Sequence, residues 1–312
     1  MATVTTEQIK QLRDKTGAGM MEVKNALVEA EGDMAKAMEL LRQKGAATAE
    51  KKASRATAEG KIAAQAAGNV AALVEVNCET DFSANNERFL ALVAAAAEAA
   101  LTTESPSVEA LLNSATAQGT LKNTLTETIG VVKENMAVAR FVRYQLQGEG
   151  QLFSYIHGGG KIGVLLELGA DKAASAQAPA FGQLAKDLAM HIAAFAPEFV
   201  SKTEIPAEVL AEETRIEMGK EDLASKPEAM REKIVAGRVE KNLATRVLLS
   251  QDFVKDPSKK VEAVLASLGQ ELGDTVVLRR FVRYALGELS QEALAAQKAA
   301  EAAEASAMVC GI

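Results

Sequence analysis

With 312 residues, 48 % of them apolar and 25 % charged, the chain has the balance of a globular protein and enough length to bury a substantial core, which excludes disordered and collagenous classes. Lys plus Arg number 35 against 42 Asp plus Glu, a net charge of −7 that argues against direct binding of nucleic acid, where phosphates draw on surplus positive charge. Two distant cysteines give no disulfide framework, and the longest apolar run, residues 89–97, stops far short of the roughly 18 residues of a membrane span.

The opening residues carry no basic stretch followed by an apolar one, so a cytoplasmic location is expected. Residues 5–45 read as three short helices. Thr5 and Gln8 form a capping box, Ile9 and Leu12 begin an apolar stripe, and Gly17 ends the first helix. The second carries Met20, Val23 and Leu27 on one face and stops at Gly32; Asp33 caps a third, with Met34, Met38 and Leu41, that ends before Gly45. An Ala-rich, basic stretch follows as a helical or frayed linker, and the first 55 residues carry a net charge of +2.

The rest of the chain is a duplication. Glu59-Gly60-Lys61-Ile62 recurs as Glu149-Gly150-Gln151-Leu152, and each copy leads through a Gly turn into an apolar strand, residues 70–76 and 162–168. Leu73 to Val76 align with Leu165 to Leu168, and Phe89 with Phe181, at an offset of 92; Arg140-Phe141-Val142-Arg143-Tyr144 returns as Arg280-Phe281-Val282-Arg283-Tyr284 at an offset of 140. The difference is an insertion of 48 residues between Val200 and Leu249, where helical stretches at 207–218 and 227–244 flank a loop with Gly219. Apolar positions such as Met230, Ile234 and Val235 predict an antiparallel helical hairpin that buries its stripe on its own second helix or on another protein. The expected fold class is α+β. The expected organisation is a helical module at 1–45, a linker at 46–58, a first core repeat at 59–145, a second at 146–284 with the hairpin at about 202–249, and a helical tail at 285–312.

No catalytic constellation is assembled. Gly158-Gly159-Gly160-Lys161 lacks both the upstream Gly and the following Ser or Thr of a phosphate loop, and reads as a hairpin turn. His157 flanks that turn without an acid or nucleophile beside it, His191 sits in an apolar helical stretch as a core residue, and Cys78 ends a strand with no helper. Two segments resist a purely structural explanation. Residues 12–27 place two Gly and the adjacent Met20 and Met21 at a helix junction, either as a tight turn with core Met or as a binding surface. Residues 75–86 follow a buried strand with a polar stretch that presents Phe82, which either docks on the helix near Phe89 or stands exposed as a wedge beside Asp81.

Leu-Arg-x-x-Thr-Gly-Ala-Gly-Met-Met-x-x-Lys-x-Ala-Leu at 12–27 and Glu-Val-Asn-Cys-Glu-Thr-Asp-Phe at 75–82 closely resemble signatures of the bacterial elongation factor Ts family, nucleotide-exchange factors for the GTPase elongation factor Tu. The blocks at His157-Gly158, 162–165, 190–193 and 253–257 are similar to further family segments. The resemblance implies a ubiquitin-associated-like helical domain, a duplicated core and a coiled-coil hairpin. It implies no covalent chemistry, cofactor, metal or nucleotide of the chain's own, and no membrane or direct nucleic-acid contact. It also implies that Asp81 and Phe82, in one loop with Thr80 and Ser83, are pushed between helices of the GTPase near its magnesium site. Arg13, Met20 and Met21 would touch a helix of its G domain, and His157 would support the wedge. Ser83 and Asp252 depart from the family pattern, which favours an apolar residue and Pro there. The reading from another class is a scaffold that binds partners through the helical module and hairpin without exchange activity.

Overall fold

The structure, a computed structural model, describes residues 4–117, 119–223 and 226–289. Three helices open the chain: α1 (Thr6–Thr16), α2 (Met20–Glu29) and α3 (Met34–Lys52). The capping box closes α1, with the Gln8 N–H donating to Thr5 Oγ1 at 3.2 Å and the Thr5 N–H to Gln8 Oε1 at 2.9 Å. Gly17 ends that helix in the left-handed region, at φ 70°. Leu12, Val23, Ala26, Leu27 and Ala37 are fully buried between the helices. Met20, expected on that stripe, is instead 58 % exposed: it is the first residue of α2 and lies one turn before Val23, where burial begins.

The third helix does not end before Gly45. Alanines beyond it keep the backbone helical as far as Lys52. Gly45 is buried because α3 lies against a core helix, α7 (Leu121–Val132), where a side chain on Gly130 would come within 3.0 Å of the Gly45 Cα. The glycine costs helix propensity of about 1 kcal/mol and permits that close approach.

The first core repeat runs β1 (Glu59–Ala67), β2 (Val70–Cys78), α4 (Asp81–Ala84), α5 (Glu87–Thr102), α6 (Val108–Asn113), β3 (Ala115–Thr116), β4 (Gly119–Thr120), α7 and β5 (Met136–Gln145). The second runs β6 (Gly150–His157), β7 (Ile162–Ala170), α8 (Ala173–Ala176), α9 (Pro179–Phe195), α10 (Ala207–Met218), α11 (Glu228–Ala244), β8 (Asp252–Phe253), β9 (Asp256–Lys260), α12 (Val261–Leu272) and β10 (Val276–Ala285). The chain is thus α+β, with antiparallel sheets ordered β1-β2-β5 and β10-β7-β6. Gly60 and Gly150 stand at φ 150° and 153°, where a Cβ would strike the Val76 and Leu168 carbonyl oxygens across the sheet, which explains the repeated Glu-Gly pair.

Each sheet is covered on one face by helices, with Phe89, Leu92 and Ala96 of α5 in one core and Phe181, Leu188 and Ile192 of α9 in the other. The opposite faces meet over Ile62, Leu73, Tyr144, Leu165 and Tyr284. The repeated Arg-Phe-Val-Arg-Tyr peptide acts there reciprocally. Arg140 donates to fully buried Glu75 at 2.7 Å while its guanidinium lies 4.0 Å over the Tyr284 ring; Arg280 donates to fully buried Glu167 at 2.8 Å and lies 4.1 Å over Tyr144. Each repeat neutralises its own buried acid and clasps the other's tyrosine.

The insertion is an antiparallel helical hairpin of α10 and α11. It buries Val235, Val239 and Leu243 of α11 with Ile205, Val209 and Leu223 in a small core of its own. Met230, expected on the buried stripe, is 56 % exposed at the start of α11. After β10, Gly287 donates its N–H to Glu75 at 3.1 Å and Glu288 pairs with Arg140 and Arg283 at 3.2 and 2.9 Å. The expected helical tail from residue 290 on, with Cys310, lies outside the described residues. Among the described residues no helix is long and apolar enough to cross a membrane.

Candidate partner-binding surface

Strand β2 delivers the chain into a one-turn helix whose outer residues the core does not use. Thr80 caps α4: its Oγ1 accepts the Ser83 N–H at 3.2 Å, and its carbonyl accepts the Ala84 N–H at 3.0 Å and the Cys78 thiol at 3.2 Å. From the loop after α7, Glu134 accepts both donors of Thr80, its N–H at 3.1 Å and its hydroxyl at 2.9 Å. Ser83 and Ala84 are buried beneath the turn, so Ser83 is a supporting residue and not part of the outer face. Asp81 points outward with Phe82, which is 86 % exposed and does not dock on α5. The preceding Glu79 accepts the Asn135 N–H at 2.6 Å and pairs with Arg55 at 3.4 Å; the Asn135 amide bond, then the Arg55 charge, hold its carboxyl below the usual range. Asn135 Nδ2 in turn donates to the Arg55 carbonyl at 2.7 Å, which ties the linker to the same place.

The methionine pair lies outside the helical core. Met21 is 63 % exposed, and with Met20 and Val28 it leaves α2 with an uncovered apolar flank; Arg13 is also exposed. Glu22 caps that end of α2 through the Gly19 N–H at 3.3 Å and pairs with Lys133 at 2.9 Å. The Lys133 hydrogen bond and charge keep the Glu22 carboxyl below its ordinary value. Lys133-Glu134-Asn135 therefore touches all three pieces: the methionine helix, the cap of the Phe82 turn, and the linker.

His157 ends β6 exposed, with Nδ1 and the Tyr155 hydroxyl 2.8 Å apart. Its turn reaches β1, where Lys61 Nζ donates to the Gly159 carbonyl and the Ile62 N–H to the Gly160 carbonyl, both at 2.8 Å. The α4 turn also packs on β1. His157 and Phe82 thus border the same strand, although among the described residues their rings do not stack on one another.

The core histidine and the buried thiol are structural. His191 Nδ1 accepts the Val254 N–H at 3.2 Å, so Nε2 carries the proton toward Gln251 Oε1 at 2.9 Å, and burial lowers the histidine pKa. Burial pushes the Cys78 thiol up to about 12, which removes it as a nucleophile. Sequence reasoning missed Glu134, Glu79 and Asn135, whose partners lie more than fifty positions away or in the linker. The duplication held a signal for one of them, because Glu134 aligns with Asp274 at the offset of 140.

The family model Elongation factor TS matches residues 79–288, from the start of the Phe82 turn to the residue that pairs with Arg140 and Arg283. Elongation factor Ts of Nostoc punctiforme is 45 % identical over 296 residues, covering 92 % of this chain and 94 % of that protein. The Aromatoleum aromaticum protein of the same name is 44 % identical over 98 % of this chain and 99 % of its own length. That of Clostridium botulinum is 41 % identical over 91 % and 93 %. Matches of this length take in the helical module, both repeats and the hairpin together, and the chain belongs to the elongation factor Ts family of translation elongation factors.

Proposed function

We propose that the protein binds elongation factor Tu in its GDP form and promotes exchange of GDP for GTP in the cytoplasm, with no covalent chemistry and no cofactor. Asp81 and Phe82 enter between helices of the GTPase beside the magnesium it holds, displace that ion and loosen the grip on the phosphates. The observation that carries this reading is Phe82 itself: an aromatic 86 % exposed on a turn fixed from behind is expensive to keep without a partner. Arg13, Met20 and Met21 supply a second contact on the GTPase, and His157, whose turn lies beside the same strand β1, supports the wedge.

Magnitudes require this spread. Speeding release by about ten-thousand-fold takes roughly 5.5 kcal/mol of differential binding, and full burial of Phe82 supplies only about 2 to 3 kcal/mol. The rest comes from contacts that favour the nucleotide-free GTPase, and by linkage bound nucleotide weakens this protein's grip equally. The test is stopped-flow release of a fluorescent GDP analogue from the cognate elongation factor Tu at fixed magnesium. Acceleration that saturates with this protein is expected; confirmed binding without acceleration leaves the scaffold reading in its place.

A further inference from the structure

We infer that Glu134 is a positioning residue for exchange: its carboxylate, acting through Thr80, aims Asp81 and Phe82. The inference rests on the exchange reading above. A helix of four residues does not hold itself, because the first turn fixes several torsions for one hydrogen bond. A side chain as exposed as Phe82 gives the turn no packing in return. Buried Ser83 and Ala84 hold the inner side of the turn, and the cap sets where it starts and so the direction in which Phe82 leaves it. The hydrogen bonds of Thr80 within its own turn reach no further than Ala84, whereas Glu134, 54 positions along, accepts its N–H with one carboxylate oxygen and its hydroxyl with the other. The same hydroxyl oxygen receives the Ser83 N–H, so the carboxylate orients the group that starts the helix.

The second repeat separates what belongs to the fold from what belongs to the wedge. At the matching positions the Lys172 N–H donates to Asp274 Oδ2 at 3.0 Å, so an acid on this backbone amide is common to both copies. Asp274, shorter by one methylene, spends Oδ1 on its neighbour, the Thr275 N–H at 2.8 Å. Lys172 offers α8 no side-chain cap. The two-oxygen hold on a capping hydroxyl thus occurs in the repeat that carries Asp81 and Phe82, and not in the one that has Ala173 and Ala174 there. A turn ordered before contact loses nothing to ordering when it enters the GTPase. Loosening it therefore lowers the rate at saturation and leaves the affinity, which the wider interface supplies, in place.

The test compares Glu134→Gln and Glu134→Asp with Asp274→Asn in the full chain. It uses release of the fluorescent GDP analogue from elongation factor Tu at increasing protein concentration, with melting curves for every variant. Both Glu134 variants should lower the saturating rate about tenfold and leave the half-saturating concentration within about twofold of the parent. Asp274→Asn, which removes the equivalent charge and one of its two acceptor oxygens, should change neither. In a Phe82→Ala background Glu134→Gln should cause a much smaller loss than in the parent, the part that acts through Asp81, and in Glu134→Gln alone the Thr80 and Ser83 amides should exchange with deuterium faster while those of β2 do not. Equal loss in the Glu134 and Asp274 variants, or a full additional loss in the Phe82→Ala background, overturns the positioning role while the exchange reading stands. Absence of acceleration by the unaltered protein overturns both, and is visible before any variant is made.

Discussion

The turns α4 and α8 occupy the same place in the two repeats, 92 positions apart, and read Asp-Phe-Ser-Ala and Ala-Ala-Ser-Ala. Ser83 and Ser175 are both buried, as are Ala84 and Ala176; the outward positions are Asp81 and Phe82 in one copy and Ala173 and Ala174 in the other. The second copy shows what the fold requires, which is two small buried residues and nothing in particular outside. Asp81 and Phe82 are therefore surplus to folding, and Phe82 in that exposed place gains nothing from the hydrophobic effect until a partner covers it.

The buried acids sharpen this comparison with the largest expected effect. Glu75 and Glu167 are both fully buried, but Glu167 meets Arg279 as well as Arg280, at 3.2 and 2.7 Å, whereas among the described residues Glu75 pairs with Arg140 alone. Removing the cation strands a charge in a dry interface. Arg140→Leu should cost about 3 to 5 kcal/mol in urea unfolding, and Arg280→Leu distinctly less. Equal losses would mean that Arg279 does not share the charge of Glu167.

The next largest effect breaks the comparison at the wedge. Phe82→Ala should slow saturated GDP release by about thirtyfold, which corresponds to about 2 kcal/mol of buried aromatic surface, without lowering the melting temperature. Moving the pair, with Asp81→Ala and Phe82→Ala in one copy and Ala173→Asp and Ala174→Phe in the other, should give a folded protein that still fails to accelerate release. Activity in that variant would show that either end of the duplicated core serves as the wedge.

Much of this architecture was legible because it rests on local signals. The capping box at Thr5 and Gln8, the glycine turns and the helices of the hairpin follow from short-range patterns, and the duplication from peptides that recur 92 and 140 positions along the chain. Three things were not legible, for one reason. Gly45 as a helix end, Met20 as core and the silence about Glu134 each concern where a second element lies: α7 beside Gly45, the end of the packed layer before Met20, and Thr80 across from Glu134. Periodicity tells which face of a helix is apolar and not how far along the helix its partner extends.

A smaller effect separates the repeats by pH. His191 in α9 is fully buried where α5 carries Ala99, and burial depresses its pKa below the usual 6.5. The unfolded chain then binds a proton that the folded chain refuses, so stability is complete above about pH 6.5 and falls as pH drops from there toward the lowered folded value. Melting curves across that window should show the loss, and His191→Gln should flatten it. Hydrogen exchange should locate the weakening in the second repeat, around α9, and leave α5 unchanged.

The smallest effect belongs to Cys78, whose partner in the ladder is Met136, as Val276 is for Ala170 in the other copy. The second repeat thus already shows the site filled by alanine. Cys78→Ala removes one buried sulfur and its weak bond to the Thr80 carbonyl, a loss of about 1 kcal/mol in urea unfolding. Saturated GDP release should be unchanged, because the cap on α4 depends on the Thr80 hydroxyl and the Glu134 carboxylate and not on the thiol. A fall in release without a fall in stability would mean that the thiol helps to aim Phe82, and the polar hold on Thr80 would then have to be divided between strand β2 and Glu134.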